Sequence, residues 1–267
     1  MPAASAQSRA QVVASVDDVV GDDPGTVGED LFALVRLLDG SPSVRRALTE
    51  PAVAAEAKAA LVHRLLDGKI GDPALQVAVV AVGQRWSHGR DLADSLEDAG
   101  VAAHLFAAEA RGELDDVEDE LFRFGRIAEA QPQLRDALSD RLAPVAAKRQ
   151  LVDTLVEGRV RPSTRRLLDQ VVVGRERSLG TALDKLQRAA AAYRDRLVAT
   201  VWVAAALSEH EEQRLAAALQ SHYGHAVHLN VIVDRDVLGG VRVRVNDDVI
   251  DSTVATRLTE VRRTFVR

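Results

Sequence analysis

Apolar residues recur along most of this chain at the three- and four-residue steps of amphipathic helices, and near Val198 the rhythm changes to strict alternation. Leu151, Val152 and Leu155 follow the helical step, as do Leu167, Leu168, Val171 and Val172, with Gly158 and Pro162 marking a stop and a turn between the two runs. The longest helix is expected from about Ser178 to Arg196, carried by Leu179, Leu183, Leu186, Ala190, Tyr193 and Leu197. Beyond it, Val201, Val203 and Ala205 alternate with Thr200, Trp202 and Ala204, as along a half-buried strand. Ser208 and Glu211 form a capping box for a helix with Leu215, Ala218, Leu219 and Tyr223 inside, which Gly224 ends. Two more alternating runs follow, Val227 to Val233 and Val241 to Val245, with Gly239-Gly240 between them as a hairpin turn. Asn246-Asp247-Asp248 supplies a further turn, Val249-Ile250 a short strand, and Asp251-Ser252 the N-cap of a last helix bearing Val254, Leu258, Val261 and Phe265.

The helical part repeats itself. Residues near 30 match those 90 positions later: Leu31-Phe32 with Leu121-Phe122, Arg36 with Arg126, Pro42 with Pro132, Arg45 with Arg135 and Ala57-Lys58 with Ala147-Lys148. Leu61-Val62 and Gly68 match Leu151-Val152 and Gly158 in the same register; a one-residue shift then aligns Val82-Gly83 with Val173-Gly174 and Leu92 with Leu183. One helical unit therefore occurs twice. The expected fold is mainly α with a small α/β C-terminal domain: two tandem helical bundles over 1–100 and 101–197, then a small mixed-sheet domain over 198–267.

Composition narrows the function. Hydrophobic residues make up 47% of the chain but aromatics only 3%, which suits helices packed through Ala, Val and Leu. A net charge of -6 argues against a chain that grips nucleic acid across a broad surface. Without cysteine there is no disulfide, thiolate chemistry or Cys-based zinc site. No apolar run approaches the roughly 18 residues of a membrane span, so the chain is expected to be soluble, with any membrane association indirect.

The residues that invite chemistry each have a plainer explanation. Gly239-Gly240 lacks the lysine and spaced third glycine of a phosphate loop. His222, His225 and His228 straddle a helix end and a strand start, so their imidazoles need not converge on a metal. Ser87, His88 and Asp91 have the residue types of a hydrolase triad, but no nucleophile elbow occurs and the second copy replaces them with Ser178, Leu179 and Ala182. Helix capping accounts for Asp251-Ser252, and the arginines at 257, 262, 263 and 267 suit either an acidic partner or a solvated helix end. No catalytic residue, cofactor or metal site is expected.

The run HLNVIVDRDVLGGVRVRVNDDVIDSTVATRLTEV, His228 to Val261, resembles the C-terminal signature of the delta subunit of F-type ATP synthases and of the mitochondrial oligomycin-sensitivity-conferring protein. Asp234, Leu238, Gly239, Gly240, Asp251 and Ser252 stand in that signature. Upstream, FAAEARGELDDVEDEL (Phe106 to Leu121), Ala147-Lys148 and Gly174-Arg175 also resemble the family, and coverage reaches from about Val101 to the C-terminus. The first copy is an extra, similar to enlarged actinobacterial forms. The resemblance implies a non-catalytic stator subunit on the cytoplasmic side of the cell membrane. Its helical bundle would grip N-terminal segments of the alpha subunits, and its C-terminal domain would engage the C-terminal end of stalk subunit b. The duplicate would add contact with subunit b or stiffen the stalk. A generic helical-repeat scaffold is the alternative, and it leaves the C-terminal signature unexplained.

Overall fold

The computed structural model describes residues 3–21, 23–140, 142–173, 175–194, 197–223, 227–234, 237, 240–245 and 248–251. The chain divides into two compact units, Met1–Tyr193 and Arg194–Arg267. The fold is mainly α with a small C-terminal α/β unit.

The first unit contains α1 (Ala3–Val19), α2 (Pro24–Gly40), α3 (Pro42–Thr49), α4 (Ala55–Leu66), α5 (Asp72–Gly83), α6 (Gly89–Ala110), α7 (Leu114–Ala130), α8 (Pro132–Ser139), α9 (Val145–Val156), α10 (Pro162–Val171) and α11 (Leu179–Arg194). The repeat is visible in these bounds. Helices α2 to α6 start at 24, 42, 55, 72 and 89, and α7 to α11 start 90 residues later at 114, 132, 145, 162 and 179. Proline stands in the first turn of α3 and α8 and of α5 and α10, because its missing N–H falls where a first-turn amide has no intrahelical acceptor. Gly68 and Gly158 hold φ of 70° and 65° just after α4 and α9, the left-handed conformation that closes a helix and disfavours a Cβ. Even a tertiary hydrogen bond repeats. Asp30 Oδ2 accepts from the Gly71 amide at 2.8 Å, and Glu120 Oε2 accepts from the Arg161 amide at 2.9 Å.

Each copy has its own core. The first gathers Leu31, Val35, Leu38, Leu48, Val62, Val77 and Val82; the second gathers Leu121, Leu138, Val152, Leu167 and Val172 at matching positions. Helix α6 serves both. Its Leu92, Leu96, Ala99 and Ala103 face the first core, closing that bundle as Leu183, Leu186 and Ala190 of α11 close the second. Its Val101, Leu105 and Ala108 face the second core, opening that bundle as Val12 and Val16 of α1 open the first. Being buried on two sides explains its alanine-rich composition: small side chains let helices approach from both directions.

That double role also makes α6 the longest helix, with 22 residues against 16 in α11. The expectation of a longest helix at 178–196 is corrected on this point. The periodicity there is real, but α6 continues through Gly100-Val101, where reading the two copies as separate bodies places an end.

The second unit contains β1 (Leu197–Val203), α12 (Glu209–Tyr223), β2 (Val227–Val233), β3 (Val241–Val245) and β4 (Asp248–Asp251). Its sheet order is β2-β1-β3-β4. Strands β1 and β2 are parallel, joined by α12 as the crossover, while β1/β3 and β3/β4 are antiparallel. Ala199, Val201, Val203, Val243 and Val245 form one sheet face and pack with Leu219 of α12. The capping box is present: Ser208 N donates to Glu211 Oε2 at 2.8 Å, and Glu211 N donates to Ser208 Oγ at 3.4 Å.

The hairpin expected at Gly239-Gly240 is not there. Strands β2 and β3 do not pair, because β1 lies between them, and Gly240 just before β3 adopts φ of 81°. The strands adjacent in sequence that do pair antiparallel are β3 and β4, with Val245 opposite Asp248. The last expected helix, from 254, lies outside the described residues.

Candidate functional site

Of the residues singled out in the sequence, Arg175 occupies the most elaborated setting. Its side chain is only 5% exposed and pairs with Asp39 at the end of α2 and with Asp94 and Glu97 of α6, the last at 3.3 Å. Lys185 of α11 reaches Glu97 at 3.2 Å, Asp98 at 3.1 Å and Glu176 at 3.4 Å, and Arg9 of α1 also pairs with Asp98. Gln170 Nε2 donates to Glu97 Oε1 at 2.8 Å. Four elements from both copies, α1, α10, α11 and the link before α11, thus converge on three acidic residues of α6.

Burial and pairing compete here, and they resolve differently at adjacent residues. Burial pushes the Glu97 carboxyl up, but Lys185, Arg175 and the Gln170 hydrogen bond outweigh it and hold the group below its ordinary value. At Asp98 burial wins over Lys185 and Arg9, and the pKa rises. Arg175 and Lys185 are held above their ordinary values because their carboxylate partners outweigh burial. Such a junction fixes geometry, since removing one member strands buried charge.

Sequence reasoning missed the partners of Arg175. The repeat alignment draws attention to matching positions, whereas the junction uses positions where the copies differ: Arg175 stands opposite Gln84, and Lys185 opposite Asp94. That mismatch is the signal that was available.

A second feature lies on α7. Phe122 is 57% exposed and Ile127 48% exposed. Phe122, Gly125, Arg126 and Glu129 of α7, with Leu183 and Gln187 of α11, line a shallow groove. At the matching place in the first copy, Phe32 is 2% exposed. Its ring sits where a Cβ on Gly100 would meet it at 2.6 Å, and its centroid is 5.3 Å from that of His104. His104 is itself buried, and burial, with Arg166 and Arg111, lowers its pKa to about 4.

In the second unit, Trp202 projects from β1 on the sheet face opposite α12, with the Arg244 guanidinium 5.2 Å and that of Arg242 6.0 Å from its ring. Ile232 of the adjoining β2 is 40% exposed. The Asp234 amide donates to the Val203 carbonyl at 2.8 Å, tying the end of β2 to β1. Asp251 ends β4. Gly174, Leu238, Gly239 and Ser252 lie outside the described residues.

The triad-like residues are structural. Asp91 Oδ2 accepts from the His88 amide at 3.1 Å at the start of α6 and from Ser5 Oγ at 2.7 Å, while the Ser87 amide donates to Ser5 Oγ at 2.9 Å. This set fastens α1 to the head of α6. Among the described residues no three or more His, Cys, Asp or Glu side chains are placed to hold a metal ion. No helix among them is long and apolar enough to cross a membrane.

Two stacked helical repeats built around an ionic junction, together with a separate α/β unit, define a binding scaffold rather than a reaction centre. Residues 101–265 match the family model described as ATP synthase delta (OSCP) subunit. The ATP synthase subunit delta of Streptomyces avermitilis is 48% identical over 93% of this chain and 92% of its own. That of Parafrankia sp. is 44% identical over 100% of both. A chain of the Toxoplasma gondii mitochondrial ATP synthase hexamer covers 62% of this chain and 95% of its own at 18% identity, but its TM-score of 0.28 is too low to bear on the fold. The chain belongs to the ATP synthase delta (OSCP) subunit family, whose members are non-catalytic components of the F-type ATP synthase.

Proposed function

We propose that this subunit joins the catalytic head of the synthase to its peripheral stalk, so that rotor torque is spent on ATP formation instead of turning the head. The helical repeats hold N-terminal segments of the alpha subunits, and the C-terminal α/β unit holds the end of stalk subunit b. Through these partners the chain sits at the cytoplasmic side of the cell membrane, and it functions as three parts, 1–100, 101–197 and 198–267.

The observation that carries this reading is the family match over residues 101–265, which runs through both the second helical copy and the α/β unit. The two units are built differently, which suits two different partners. Trp202 between Arg242 and Arg244 offers the second unit an amphipathic contact patch. Linking two modest sites in one chain raises their effective concentration and keeps the connection closed under load. The signature residues Gly174, Arg175, Asp234, Leu238, Gly239, Gly240, Asp251 and Ser252 have structural roles in this scheme, with no catalytic part: Arg175 fixes the junction, and Asp234 ties the end of β2 to β1.

Calorimetry of the full chain with a peptide from the alpha-subunit N-terminus, and separately with the soluble part of subunit b, tests the reading. Saturable binding of both is expected. Failure of either to bind would remove that half of the linkage.

A further inference from the structure

The two copies differ in one side chain that has the same identity in each. All the other buried apolar side chains of α2 (Val27, Leu31, Leu34, Val35 and Leu38) belong to the first core, but Phe32 belongs to the second, with Val101 and Leu105. It is a knob that the first bundle presses into the next. Ion pairs flank it: Glu29 meets Arg166 of α10 at 3.3 Å, and Asp39 meets Arg175. Both arginines come from the second copy.

Helix α7 carries the same three residue types in the same register. Phe122 replaces Phe32, Asp119 replaces Glu29 and Glu129 replaces Asp39, each 90 residues on. All three are exposed. Asp119 makes a surface pair with Arg123 at 3.1 Å, which a partner can displace at little cost. The contact inside the molecule is therefore a template for one outside it.

We propose that the α7–α11 groove around Phe122 docks an amphipathic helix of a partner protein. That helix places a glycine or alanine against the phenyl ring, as Gly100 does for Phe32, and a basic residue beside each of Asp119 and Glu129. Ten residues along a helix set those two carboxylates about 15 Å apart, which fixes the spacing of the basic residues. This contact lies beyond the two of the linker reading and uses neither of them.

The test uses the full chain with the photoreactive residue benzoylphenylalanine in place of Phe122, assembled into the synthase, irradiated and mapped by mass spectrometry. The same residue at Leu142, which is 94% exposed, is the control. Expected is a crosslink to another subunit, at a helix with a small residue at the contact and Arg or Lys on both sides. A yield no higher than the control, or a crosslink to residues 194–267 of the same chain, to a second copy of the chain or to a non-helical segment, overturns the proposal. In a second measurement, Phe122→Ser is expected to weaken rebinding of the chain to synthase stripped of it by about thirtyfold, as loss of an aromatic anchor does. Unchanged rebinding overturns the proposal. Calorimetry with the alpha peptide and the b fragment is expected to be the same for Phe122→Ser and the natural chain, so failure of the groove and failure of the linkage are told apart.

Discussion

The first and second helical copies share helix starts 90 residues apart, first-turn prolines in two helix pairs and even a side chain to backbone hydrogen bond, yet they treat their matching phenylalanines in opposite ways. Phe32 is enclosed because Gly28 and Gly100 let α2 lie close on α6: a Cβ on Gly28 would stand 2.6 Å from His104 Nε2, and one on Gly100 would meet Phe32. In the second copy Glu118 replaces Gly28, and Ala191 replaces Gly100 in the shifted register. Helices α7 and α11 accordingly leave a groove between them. A repeated sequence thus gives repeated helices, while the surroundings of each copy decide what its side chains do.

The comparison is most easily broken at the two phenylalanines. Phe32→Ala is expected to destabilise the helical unit by about 3–5 kcal/mol, the usual cost of emptying a buried aromatic site. Phe122→Ala is expected to change it by less than about 0.5 kcal/mol. Chemical unfolding followed by far-ultraviolet circular dichroism compares them, and equal losses would end the distinction drawn here.

Replacing Arg175 with methionine comes next, at about 3 kcal/mol, because Asp39, Asp94 and Glu97 lose their shared cation and only Arg90 beside Asp94 and Lys185 beside Glu97 remain. The copy-one counterpart, Gln84→Met, has no such junction and is expected to be nearly neutral in the same unfolding assay. A substantial loss at Gln84 would mean that the asymmetry between the copies is misassigned.

The pH response sharpens the contrast further. His104 has a folded pKa of about 4, below its ordinary 6.5, so the unfolded chain takes up the proton first as pH falls. Its contribution is complete above pH 6.5, declines as pH drops toward 4 and levels off below that, for a total of about 3 kcal/mol. Glu97, held low, also loses stabilisation as pH falls through its folded pKa, so the His104 part is isolated by difference. His104→Leu is expected to flatten stability between pH 6.5 and 4 relative to the natural chain. An unaltered slope would assign the response to the carboxylates.

The smallest expected effect is a symmetric one. Gly68→Ala and Gly158→Ala introduce a Cβ into open space, at residues with φ of 70° and 65°, so only backbone strain of about 1 kcal/mol is expected at each. Melting temperatures of the two variants should fall by similar amounts, and a difference of several-fold would show that the turns are not equivalent.

Much of this architecture was legible in the sequence. The 90-residue register, the stop at Gly158, the capping box at Ser208 and the alternating strands all follow from local rules of spacing and capping. What escaped depends on partners far apart along the chain. Alternation identifies β2 and β3 as strands, but it is silent on β1 lying between them, and so Gly239-Gly240 reads as a hairpin. Arg175 was legible as a residue of note, though not its carboxylates 81 and 136 positions away. Phe32 and Phe122 follow a leucine at matching positions, and Gly28 against Glu118 sets them apart only once the approach of α2 to His104 and Gly100 of α6 is known.

The sharing of α6 has a mechanical consequence. Two bodies joined by a tether can swing, but here one unbroken rod, 22 residues or about 33 Å long, is laminated into both halves, so bending one against the other requires rupturing its own backbone ladder. Strain applied at one end of the helical unit is carried to the other along a continuous spine, as through a beam with no joint in its middle.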